Sequence, residues 1–141
     1  MSLKALMILG DDTAKSNNAV DTLGWNRLMN LYRREGYLII GDNKKLNRND
    51  LKTALENVDK NTRIDLVAHG DVIVGINKSE HQVAIYGEVL DIEALFAQFF
   101  VLSLGKPLNF HLWSCHGKYA MNAITKLPEN STLTIHAHQE I

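Results

Sequence analysis

Five short runs, each about as long as one strand and each closed by a turn-forming or polar residue, constrain this chain more than any other feature. Residues 4–10 stop at Gly10-Asp11-Asp12, residues 37–40 at Gly41-Asp42, and residues 64–68 at His69-Gly70. Residues 108–114 run into Cys115, and residues 132–138 make the fifth run. The first run is apolar almost throughout, which is what a strand covered on both faces requires. Between the runs, apolar residues recur at helical spacing. Val20, Leu23, Leu28, Leu31 and Tyr32 predict a helix from a cap at Asn17 or Asn18 to Gly36. Leu51, Ala54, Leu55 and Val58 predict a second, capped by Asn49 or Asp50. A third runs from Asp91 through Leu95, Phe96 and Phe99 to about Leu104, closed by Gly105 and Pro107. A fourth holds Met121, Ile124 and Leu127 and stops at Pro128.

Strands separated by helices predict an α/β fold, a mostly parallel sheet with helices on both faces and strand order 2-1-3-4-5. One connection breaks the pattern. Residues 72–76 and 82–86 are rich in β-formers around a polar middle, which predicts a small β-hairpin after the third strand.

Composition narrows the function. With 141 residues, 45% of them hydrophobic, residues 1–141 make one domain, able to bury roughly two thirds of its unfolded surface. Fifteen basic against sixteen acidic side chains leave a formal charge of −1, which gives no argument for nucleic acid or an anionic membrane as partner. No apolar run approaches the roughly 20 residues of a membrane span. The first residues read as a strand, because Asp11 and Asp12 follow where a signal peptide would continue. A single cysteine makes no internal disulfide, and a reducing, cytoplasmic setting is expected.

The chemistry lies at two strand ends, LVAHG at residues 66–70 and HLWSCHG at residues 111–117. If the third and fourth strands are parallel neighbours, His69 and Cys115 emerge side by side at the carboxyl edge of the sheet, where open α/β sheets bind ligands. A cysteine nucleophile needs a base for its proton and donors for the oxyanion on the attacked carbonyl. His69 fits as the base, and the backbone N–H groups of Gly70 and Cys115 fit as the donors. The alternative is that Cys115 is a small buried hydrophobe. His111, His116, His136 and His138 raise a zinc site as a competing idea, with His116, His136 and His138 as its ligands. No C-x-x-C or H-E-x-x-H spacing accompanies them, so neither metal nor cofactor is expected. Asp11 and Asp12, after the first strand, would face the same cleft or simply serve as turn carboxylates.

A hydrophobic block ending in His-Gly, followed one crossover later by another ending in Cys, resembles the caspase-like, or clan CD, cysteine peptidases. The resemblance covers most of the chain by order of elements and some ten residues by motif. In layout it is closest to the self-processing cysteine peptidase domains of bacterial toxins, with a hairpin after the His-Gly strand and a helix before the Cys strand. Ser114-Cys115-His116 looks like the metacaspase run, although metacaspases carry an acidic residue where this chain has Trp113. Caspases also have a sixth strand, and five are read here.

The resemblance implies a three-layer αβα sandwich and a cysteine endopeptidase that cleaves or self-processes a protein or peptide. Cys115 would be the nucleophile and His69 the general base. It further implies that Asp11 or Asp12 recognises a basic side chain before the scissile bond, as acidic pockets do in metacaspases and gingipains. Silent members of such folds leave open a catalytically inactive binding or effector module, bacterial effector-like or toxin-like, acting in the cytoplasm or delivered into a host cytosol.

Overall fold

The structure, a computed structural model, describes residues 3–11, 22–41, 45–74, 79–113 and 133–138. The element order is β1 (Ala5–Leu9), α1 (Thr22–Arg34), β2 (Tyr37–Ile40), α2 (Arg48–Glu56), β3 (Arg63–Val67), β4 (Gly70–Val74), β5 (Ser79–Ile85), β6 (Glu88–Asp91), α3 (Ile92–Leu102), β7 (Asn109–Trp113) and β8 (Thr134–His138). Five strands form one parallel sheet in the order β2-β1-β3-β7-β8, the order expected from the alternation of elements. The helix expected over Met121, Ile124 and Leu127 lies outside the described residues.

Position in the sheet explains each strand's composition. Every residue of β1 is buried, because it lies between two strands and is covered on both faces. At the edge, β2 buries only Ile39 fully. Along β7 burial alternates: Phe110 and Leu112 enter the larger core, while Asn109, His111 and Trp113 point to the opposite face. That larger core joins Leu6, Ile8, Ile64, Leu66 and Phe110 of the sheet to Leu51 and Leu55 of α2 and Leu95, Phe96 and Phe99 of α3. Phe99 and Phe110 stack within it, ring centroids 4.7 Å apart. On the other face Met7, Leu9 and Ile39 pack with Met29 of α1. The fold is a three-layer α/β sandwich.

Local chemistry sets the helix ends. The Asn47 side chain accepts from the Asp50 N–H at 2.8 Å, so α2 begins before the caps expected at Asn49 or Asp50. Asp91 precedes α3 as anticipated but makes no side-chain cap, since it also ends β6 and its carboxylate accepts from the Gln82 amide at 3.1 Å. The C-terminus of α2 is closed by a distant lysine. The Lys106 ammonium donates to the Leu55, Glu56 and Val58 carbonyls at 3.1, 3.1 and 3.2 Å.

The hairpin expected after β3 is a three-stranded antiparallel sheet, β4-β5-β6. The strand missed was β6, only four residues long and largely exposed. Tyr86 and Gly87, with φ of 60° and 77°, make the two-residue turn joining β5 to β6. Val83 and Ile85 enter the larger core, which fixes this small sheet on the α2/α3 side.

Candidate active site

The carboxyl ends of β1, β3 and β7 are aligned. Leu9 pairs with Val67, and Val67 with Trp113. One residue further on, the Ala68 N–H donates to the Trp113 carbonyl at 3.1 Å, so β3 stays against β7 until just before His69. His69 is partly buried and stands where the chain leaves the large sheet for the small one. Its carbonyl accepts from the Ala84 N–H at 3.0 Å, and Gly70 begins the β4–β5 ladder opposite Val83. The expected base is therefore held by its backbone between two sheets. Cys115, Asp12 and His116 lie outside the described residues.

Asp11 lies at this junction too. Its N–H donates to the Ala84 carbonyl at 3.0 Å, and its Oδ2 accepts from the Gly87 N–H at 2.7 Å. The other carboxylate oxygen is buried with no hydrogen-bond partner among the described residues. Asp11 thus ties the end of β1 to the β5–β6 turn. Next to it, Gly10 is required by close approach: a Cβ there would lie 2.6 Å from the Ala84 oxygen and 2.8 Å from the Ala68 Cβ.

The histidines of the alternative zinc site are only partly in view. His138 ends β8 opposite Trp113, and His136 pairs with His111, their rings stacked 4.7 Å apart at 18°. Near-parallel rings do not aim their nitrogens at one point, and no group of three possible ligands gathers among the described residues.

The feature that the sequence pattern did not reveal is Asp65, in the middle of β3 and 4% exposed. Its Oδ2 accepts from the Tyr37 hydroxyl at 3.0 Å and Arg63 Nε at 3.1 Å. Its Oδ1 accepts from Arg63 Nη2 at 3.1 Å and Trp113 Nε1 at 3.0 Å. Burial alone would push the carboxyl pKa up. Hydrogen bonds from Arg63 and Trp113, the Arg63 charge and the Tyr37 hydroxyl outweigh it and hold the pKa below its ordinary value. The same contact acts on Tyr37, whose pKa burial and the neighbouring carboxylate raise to about 12. A signal did exist: a carboxylate inside a strand meant to be covered on both faces must have partners, and Arg63, two positions away, shares its face.

Asp65 and Arg63 also line a cavity of about 330 Å³ between α1 and the sheet. Its apolar walls include Met7, Leu28, Met29, Tyr37 and Trp113. Tyr32, also in the wall, meets Tyr37 edge to face at 5.1 Å between centroids.

No helix among the described residues is long and apolar enough to cross a membrane. No family model matches the chain. Over 145 aligned residues, covering 98% of the chain, it is 28% identical to a protein of Rickettsia bellii (strain RML369-C) named "Putative ankyrin repeat protein". The chain spans 16% of that protein's length.

Proposed function

We propose that the chain is a caspase-like cysteine endopeptidase that cleaves, or self-processes, a protein substrate. The observation that carries this reading is the parallel pairing of β3 with β7 in the register Val67 to Trp113. His69 and Cys115 each follow a member of that pair by two residues in sequence. In the mechanism, His69 takes the thiol proton of Cys115 and the thiolate attacks the scissile carbonyl carbon. The N–H groups of Gly70 and Cys115 stabilise the oxyanion. The amine leaves with the proton held by His69, and water, deprotonated by His69, releases the acyl group. The contact between the His69 carbonyl and Ala84 supports the reading, because a general base needs a fixed position.

The test is alkylation of the sole cysteine. Iodoacetamide should label native protein faster than unfolded protein at neutral pH, and His69→Ala should slow the native reaction. Protection in the native state, with no dependence on His69, would leave a catalytically silent module of the same fold as the function.

A further inference from the structure

The cavity beneath α1 is independent of the peptidase reading, and its chemistry is specific. At about 330 Å³ it falls at the small end of ligand cavities, which run roughly 300–1,000 Å³. Two thioethers, Met7 and Met29, face it together with the rings of Tyr37 and Trp113. Sulfur and ring edges favour an aromatic guest over a branched aliphatic one. Its polar end is the Arg63 and Asp65 pair. The Asp65 carboxylate accepts four hydrogen bonds from protein donors, two to each oxygen. The carboxylate is therefore engaged and offers a cation nothing new. Arg63 differs: Asp65 occupies Nε and Nη2, and Nη1 has no hydrogen-bond partner among the described residues. Its side chain is 49% exposed, so a guest can reach it.

We propose that this cavity binds a small flat molecule, one aromatic ring carrying a neutral acceptor oxygen, with the ring in the apolar part of the cavity lined by Met29, Tyr37 and Trp113 and the oxygen on Arg63 Nη1. A cationic head would find Asp65 already saturated and would meet the guanidinium instead. An anionic head would reach Arg63 but would lie beside the buried charge of Asp65. A carbonyl accepts from the free donor without adding charge to a pair that already sums to zero.

Benzamide, benzoate and benzamidine share a shape and differ in charge, so together they test the proposal. The protein is the full chain carrying Cys115→Ala, which makes the result independent of any peptidase activity. Calorimetric titration should rank benzamide first, by about tenfold or more over benzamidine, as one matched hydrogen bond implies. The indole N–H resonance of Trp113, assigned with Trp113→Phe, should shift on titration. Leu28→Trp, a substitution at the partly exposed rim, should abolish binding while leaving the circular dichroism spectrum unchanged. Asp65→Asn should move the preference to benzoate by removing the competing charge. Benzamidine or benzoate binding tightest to the Asp65 protein, a silent Trp113 resonance, or binding that survives Leu28→Trp would overturn the assignment.

Discussion

The indole N–H of Trp113 donates to the carboxylate of Asp65 at 3.0 Å, diagonally across two neighbouring parallel strands, since Trp113 itself pairs with Val67. With Tyr37 and Arg63, it makes Asp65 the hub through which β2, β3 and β7 are linked on the α1 face. One side chain thus cross-links three strands of which only β3 and β7 pair directly, since β1 lies between β2 and β3.

Removing that hub should cost more than a typical surface change. Asp65→Ala removes the carboxylate that accepts from the Tyr37 hydroxyl and the Trp113 indole, while Arg63, about half exposed, turns to water. A loss of about 3 kcal/mol is expected, the low end for breaking a buried pair. Urea unfolding should show a lower midpoint with an unchanged slope. A midpoint equal to wild type would mean that the cluster is not formed in solution.

The same cluster predicts pH dependence with a definite sign. The folded-state pKa of Asp65 is lowered, so its contribution is complete above the ordinary carboxylate value and is lost as pH falls through the folded value. The gap in urea midpoint between wild type and Asp65→Asn should stay constant from neutral pH down to about pH 5 and narrow below it. Tyr37 and Tyr86 behave oppositely. Burial raises each to about 12 from 10.0, helped at Tyr37 by Asp65 and opposed at Tyr86 by Arg48. Their contribution is complete below the ordinary tyrosine pKa and lost as pH rises toward 12. Tyrosinate absorbance in native protein should therefore lag that of unfolded protein.

The strand order was legible because periodicity reports burial. Unbroken apolar composition gave β1, and β3 and β7 followed from apolar runs that stop at His69 and Cys115. What stayed hidden depends on partners far apart in sequence. Residues 88–91, Glu-Val-Leu-Asp, carry no strand signal of their own and become β6 only because the Tyr86-Gly87 turn sets them against β5. The Asn47 cap lost out to Asn49 and Asp50, since several capping residues in a row do not say which one the chain uses. Asp65 looks like part of a plain strand in the sequence, because the groups that satisfy it, Tyr37 and Trp113, are 28 and 48 positions away. The contact of Asp11 with Gly87, 76 positions on, was not legible either.

A lysine far from the site should matter more than its charge suggests. Lys106 places one ammonium on three carbonyls at the end of α2, where the helix dipole is negative. Lys106→Met keeps the aliphatic stem and removes all three bonds, so a loss of about 1–3 kcal/mol is expected. Lys52→Met, on the exposed side of the same helix, should stay within about 0.5 kcal/mol of wild type. Equal effects of the two substitutions in thermal unfolding would show that the carbonyl cluster contributes nothing of its own.

Gly10 connects packing to the proposed chemistry. A methyl group there would press on the Ala84 carbonyl and the Ala68 Cβ, and neither belongs to a flexible side chain that can swing away. Gly10→Ala should cost about 1–3 kcal/mol through overpacking. Ala84 also holds the His69 carbonyl, so the strain should reach the base. Gly105→Ala is the control: its φ of 79° makes alanine strained, yet among the described residues nothing lies within 4 Å of the added carbon. Under conditions where both variants remain folded, Gly10→Ala should slow iodoacetamide labelling of Cys115 and Gly105→Ala should not. Equal labelling by the two variants, despite a measured stability loss for Gly10→Ala, would mean that the junction between the sheets braces the fold without positioning His69.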